Sequence, residues 1–314
     1  MGNWSCCCRV RLTKKEISNM QKPISFISDG LKISGTLTLP KGQPPQEGYS
    51  AFIVLHGFGS NQNAGNVIKP SNFLNEMGYA TLRFDMRGCG QSQGERGRLI
   101  CLEQVVDTQS ACTFLESIKE IDGNNIALIG SSFGAAVALY AGSIDSRFSA
   151  IISSGGWGNG KVKFEGQHKS SIQRKKFETL LKTSAEHKKA HGAPMQISRY
   201  DIVPIPNKLR GHLAPGSLLE FSSDTLHSMY QFNAEEIVHM ISPRPLLLMH
   251  SADDSVTPTE QSLRIYERAH HPKDLHLFAE TDHFMFDEQN SRVRELVAAW
   301  LQKFFPLNSD RSSA

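Results

Sequence analysis

Four short stretches of the chain carry groups that could share one reaction. Gly130-Ser131-Ser132-Phe133-Gly134 places a hydroxyl between two residues without side chains. A tight strand-to-helix turn needs such flanks to let the backbone pass. It leaves its central residue strained and exposed, with a helix N-terminus behind it that favours developing negative charge. Ser132, not Ser131, occupies that centre. A serine hydroxyl attacks a carbonyl only when a base takes its proton, an acid orients the base, and backbone amides receive the oxyanion. The small residues of His56-Gly57-Phe58-Gly59 let main-chain amides approach a reacting oxygen, so the nitrogens of Phe58 and Phe133 are the expected donors. The stretch His250-Ser251-Ala252-Asp253-Asp254 supplies carboxylates, and Thr281-Asp282-His283-Phe284 supplies an imidazole.

Each of these stretches follows a short apolar run bounded by turn residues. Such runs occur at 51–55, 79–84, 126–129, 148–152, 245–249 and 275–278, and they suit strands buried on both faces. Residues 24–39 alternate apolar and polar side chains around Asp29-Gly30, which predicts a hairpin. Helical periodicity appears at 102–118, 135–140, 260–269 and 293–305. Strand and helix therefore alternate, which predicts an α/β fold with a mostly parallel central sheet and helices on both faces. The alternation lapses between Gly155 and about Ser242, where helical fragments occur without a buried strand. The expected organisation is a flexible tail over 1–22 and a single domain over 23–314, with a helical and irregular cap inserted at about 155–242. Within the cap, residues 161–210 hold twelve Lys or Arg against four Asp or Glu, a net +8 in a chain whose formal charge is +3. A solvated helical face explains such a run, and attraction of an anionic substrate or surface is the sharper reading. The proline-punctuated segments 200–206 and 213–215 are expected to lie over the site as lid structure and select the substrate. Phe221, Met229, Tyr230 and Phe232 are read either as an acyl pocket or as ordinary packing.

The four stretches, in the order Ser, Asp, His, resemble a serine hydrolase of the α/β-hydrolase superfamily over roughly residues 24–306, in its dienelactone-hydrolase-like or prolyl-oligopeptidase-like branch. The resemblance implies that Ser132 is the nucleophile, His283 the general base and Asp254 the acid, with the amides of Phe58 and Phe133 as the oxyanion hole. It prefers Asp254 to Asp253 because family members read His, Gly, two variable residues and then the acid. Here that run extends from His250 to Asp254, with Ser251 in place of the Gly. Asp85-Met86-Arg87-Gly88-Cys89-Gly90-Gln91-Ser92 resembles the family's loop that braces the rim of the site. His250 and His276 are expected to pack or hydrogen-bond near the site, and His56 to line the oxyanion loop. Asp282, adjacent to His283, is poorly placed to orient it. The implied activity is hydrolysis of a carboxylic ester through an acyl-enzyme, on a small-molecule ester or acyl substrate. A peptidase, amidase or thioesterase with the same triad is the alternative, and a non-catalytic docking module acting through the basic cap is the rival of another class.

Several other classes lack their residues. Gly155-Gly156-Trp157-Gly158-Asn159-Gly160-Lys161-Val162 resembles a phosphate-binding loop until Val162 stands where a magnesium-binding Ser or Thr belongs. The residues after it show no apolar period, so no helix is expected to open there. No cofactor and no metal are expected, since neither a zinc-spaced Cys/His set nor HExxH occurs. With 34 basic against 31 acidic residues, no nucleic-acid partner is expected. No apolar run approaches the roughly 18 residues of a membrane span. The six cysteines show no framework spacing, and the chain reads as cytoplasmic. A membrane surface enters only through acylation of Gly2, Cys6, Cys7 and Cys8. The pattern for Gly2 wants Ser or Thr where Cys6 stands, and a start at Met20 is the plainer reading.

Overall fold

The computed structural model describes residues 21–286 and 290–308, so Gly2, Cys6, Cys7, Cys8 and Met20 lie outside the described residues. The chain opens with β1 (Gln21–Ser28) and β2 (Leu31–Thr38), joined by Asp29 and Gly30 at φ 47° and 77°. Two consecutive left-handed residues give the turn whose twist matches that of paired strands. There follow β3 (Tyr49–Leu55), β4 (Ala80–Phe84), β5 (Ile121–Ser131) and β6 (Phe148–Ser154), then two short strands, β7 (Gln196–Ser198) and β8 (Glu220–Ser222), and finally β9 (Leu246–Ser251) and β10 (Lys273–Phe278). Eight of them form one sheet in the order β1-β2-β4-β3-β5-β6-β9-β10, antiparallel at β1-β2-β4 and parallel beyond. This is the mostly parallel sheet that the alternation of elements predicts, in the α/β-hydrolase arrangement that the resemblance implies.

Successive strand residues point to opposite faces, and β3 shows the result. Ala51, Ile53 and Leu55 enter one apolar cluster while Phe52 and Val54 enter a second. The first face is covered by α2 (Cys101–Glu116) and α3 (Phe133–Ile144), the second by α1 (Gly65–Glu76) and α9 (Ser291–Phe304). Between β6 and β9 the chain leaves the sheet to form α4 (Gly160–Gln167), α5 (Ser171–His191), the single turn α6 (Arg199–Ile202) and α7 (Ser223–Gln231), and after β9 comes α8 (Glu260–Arg268). Within this insertion β7 and β8 pair antiparallel with each other.

Two helices depart from the sequence reading. α1 carries Pro70 and polar residues that hide its period, but Val67, Phe73 and Leu74 pack beneath the sheet, and tertiary packing overrides propensity. α4 opens where no helix is expected, because the Asn159 side chain accepts the Val162 amide as a cap and Lys163 and Phe164 turn inward. His276 is also corrected: on the outermost strand β10 it is exposed, away from the site.

Candidate active site

Ser132 sits between β5 and α3 at φ 56° and ψ −116°, a conformation that L-residues hold only under strain. The flanking glycines are steric requirements. A Cβ on Gly130 would lie 2.2 Å from the Gly134 carbonyl oxygen, and one on Gly134 would lie 2.5 Å from the carbonyl oxygens of Leu55 and His56. Ser131 is buried and its Oγ accepts a hydrogen bond from Asn66 Nδ2 at 2.8 Å. Ser132 remains half-buried, and among the described residues its hydroxyl makes no hydrogen bond, to His283 or to any other group.

Asp254 and His283 come from the loops after β9 and β10. His283 Nδ1–H donates to Asp254 Oδ2 at 2.8 Å, while Asp254 Oδ1 accepts the amides of Val256 and Thr257, each at 2.8 Å. His250 approaches the same carboxylate, its Nε2 3.3 Å from Oδ2, and its Nδ1 is 2.6 Å from Ser262 Oγ. Burial by itself would raise the Asp254 pKa. His283 and His250 outweigh it and hold the carboxyl well below its ordinary range, so Asp254 is an anion that orients the imidazole. Asp253 is exposed. Asp282 accepts the Ser255 amide at 3.0 Å and pairs with Lys208 at 2.9 Å, bracing the loop. Gly155 runs beside the Asp254–His283 pair, for a Cβ there would lie 3.5 Å from the His283 ring.

Ser132, His283, Gly57 and Phe58 line one cavity of about 30 Å³, roofed by Val203, Ile205 and Leu213 from the insertion. That is room for roughly two waters, less than a substrate of ordinary size fills. Among the described residues the amides of Phe58, in the cavity lining, and of Phe133, which follows Ser132 at the N-terminus of α3, make no hydrogen bond. The other expectations divide. His56 is buried against the oxyanion loop as expected, its Nδ1 donating to the Gly57 carbonyl at 2.8 Å while Nε2 accepts the Met86 amide at 3.0 Å, so it ties that loop to the β4 loop without lining the cavity. The brace after β4 forms as read. Asp85 accepts the amides of Gln62 and Gln91 at 2.7 and 2.9 Å, and Arg87 holds Asp107 at 2.6 Å. Phe221 and Met229 are packed in the core, not arrayed along the cavity. Arg199, 3% exposed and lining the cavity, was not a candidate, because nothing in the sequence separates it from the other basic residues around it. Among the described residues no group of three His, Cys, Asp or Glu is placed to hold a metal, and no helix is long and apolar enough to cross a membrane.

A mostly parallel sheet with a strained serine at the turn after its fifth strand defines an α/β-hydrolase. The chain belongs to the serine aminopeptidase S33 family, which matches residues 47–290. An uncharacterized 31.7 kDa protein of the traX-finO intergenic region of Escherichia coli is 29% identical over 288 residues, 88% of this chain and 97% of that protein. The thiohydrolase aneE of Aspergillus aculeatus is 23% identical over 297 residues, 87% of this chain and 89% of that one. Among solved structures, the alpha/beta hydrolase GrgF of Penicillium superposes with a TM-score of 0.71 at 21% identity, covering 90% of this chain and 99% of that one. Est1E of Butyrivibrio proteoclasticus with bound ferulic acid gives 0.66 at 18%, covering 90% and 98%. At these identities the solved structures speak to the fold alone.

Proposed function

We propose that the protein is a serine hydrolase that cleaves a carboxylic ester of a small molecule through an acyl-enzyme on Ser132. The observation that carries this reading is the buried His283–Asp254 hydrogen bond beside the cavity that also holds Ser132. With Nδ1 donating to Asp254, Nε2 is the ring nitrogen left to take the Ser132 proton. The oxygen attacks the ester carbonyl, and the amides of Phe58 and Phe133 receive the tetrahedral oxyanion. His283 then returns the proton to the leaving alkoxide, the alcohol departs, and the acyl group stays on Ser132. Water, deprotonated by the same nitrogen, releases the acid and regenerates the serine. Asp254 stabilises the imidazolium in both halves without taking a proton itself. The esterase Pf2001 of Pyrococcus furiosus has the same fold, which makes an ester the first bond to test.

A thioester substrate is the second reading, favoured by the relationship to a thiohydrolase, and the family's aminopeptidase description supplies the amide alternative. A panel of p-nitrophenyl esters, acyl thioesters and aminoacyl anilides at matched acyl groups decides among them. The ester series is expected to give the highest kcat/KM. Preferential cleavage of anilides or thioesters would reassign the bond.

A further inference from the structure

The segment between β6 and β9 reaches the oxyanion loop with two side chains. Arg199 directly follows β7, and Phe221 is the middle residue of β8. Arg199 Nη2 donates to the Phe58 carbonyl at 2.6 Å and Nη1 to the Leu218 carbonyl at 2.8 Å, with the guanidinium carbon 5.3 Å from the Phe58 ring centroid. Phe221 stacks on the same ring at 4.2 Å and 21°. The main chain adds a third tie, from the Leu218 amide to the Gly59 carbonyl at 2.8 Å. Gly59 turns at φ 53°, and a Cβ there would lie 2.3 Å from Phe221 and 3.2 Å from Arg199 Nη1, so the loop has no slack against this pair.

Arg199 is kept there at a cost. Among the described residues its Nε has no hydrogen-bond partner and no carboxylate pairs with the guanidinium. Burial draws its pKa down to about 10. A desolvated charge without a counter-ion is expensive, and two carbonyl hydrogen bonds do not offset it fully. One of those carbonyls, however, belongs to the residue whose amide faces the reacting oxygen. The uncompensated charge also belongs to a residue lining the same cavity as Ser132, where the transition state, unlike the ester, is negative.

We infer that Arg199 is a positioning residue, which with Phe221 clamps Phe58 so that its amide meets the oxyanion formed on Ser132. The inserted segment thereby completes the catalytic centre as well as roofing it. This rests on the roles proposed above for Ser132 and the Phe58 amide.

The test compares Arg199→Met and Arg199→Lys with wild type on the best ester of the panel. It adds inhibition constants for a boronic acid, which forms a tetrahedral adduct on serine, and for the planar product carboxylate. Melting temperature reports folding. Losing an oxyanion donor outright costs on the order of 10²–10³ in kcat, so a misaligned one should cost about 10². The expected result for Arg199→Met is a fall of about that size in kcat, KM within about threefold, boronate affinity weakened in parallel and product affinity unchanged. Arg199→Lys, which keeps charge and stem, should recover roughly tenfold of the loss. Should Arg199→Met fail to fold, Arg199→Lys decides: a parallel loss of about tenfold in kcat and boronate affinity supports the clamp, and unchanged kcat overturns it. Equal weakening of boronate and product also overturns it, as does a loss confined to the KM of carboxylate-bearing esters, which would mean that the guanidinium reads substrate charge. Ser132→Ala in the same assay separates the two claims. Turnover retained there defeats the serine-hydrolase reading, whereas an inactive Ser132→Ala beside a normal Arg199→Met defeats only the clamp.

Discussion

Replacing Lys163 by Met should stabilise the protein at neutral pH and lose that effect in alkali. Lys163 is fully buried in α4, with its ammonium 4.1 Å from the Phe164 ring centroid and 5.7 Å from that of Trp157, and among the described residues no carboxylate pairs with it. Burial pulls its pKa from 10.5 down to about 7, against a smaller opposing pull from Cys101 and Asp254. The unfolded chain holds its proton up to about pH 10.4, so at pH 7 folding must either discharge or bury a charge that water would keep. At about 1.4 kcal/mol per pH unit across that interval, the cost at pH 7 is roughly 4 kcal/mol. Contact with aromatic faces offsets about 1–2 kcal/mol of it. A folded pKa below the unfolded one means that stability is lost as pH falls between the two values, so wild type should gain stability from pH 7 to pH 10. Met fills a similar volume without the charge. Lys163→Met should therefore be more stable than wild type by about 2–4 kcal/mol at pH 7 and by under about 1 kcal/mol at pH 10. Urea unfolding of both proteins at pH 7, 8.5 and 10 measures this directly. A variant less stable than wild type at pH 7, or a difference that does not change with pH, would refute the reasoning.

Asp254→Asn, which removes the anion that accepts His283 Nδ1–H, should lower kcat by on the order of 10³–10⁴ while the protein still melts cooperatively. A loss under about tenfold would remove Asp254 from the orienting role. Burial lowers the pKa values of His56 and His168, so both are neutral in the fold, and the stability they contribute above about pH 6.5 is lost as pH falls through their folded values. Melting temperature should accordingly drop between pH 7 and 5. His56→Gln should drop less steeply, and an unchanged slope would clear His56 of responsibility.

The parallel sheet was legible because each of its strands is a short apolar run closed by turn residues, and β3, β4 and β9 are in fact buried along their whole length. The turn at Ser132 was legible for a steric reason: only glycine fits 2.2 Å and 2.5 Å from neighbouring carbonyl oxygens, so the backbone geometry is written into residue type. The spacing from His250 that the resemblance supplies prefers Asp254 to Asp253, and burial agrees, Asp253 being exposed and Asp254 enclosed between two histidines. Helices α1 and α4 escaped because Pro70 and a polar opening turn mask periods that only packing completes. Arg199 was invisible for a different reason. Its position depends on the pairing of β7 with β8, and strands of three residues leave no pattern to read.

Whether Ser132 is an activated nucleophile is tested most directly by treating the folded protein with a fluorophosphonate probe and comparing wild type with Ser132→Ala by intact mass. Wild type should take up one adduct, mapped to Ser132, and the variant none. A folded wild type that takes up no adduct, or a variant that labels as fast as wild type, would contradict the assignment of the catalytic serine.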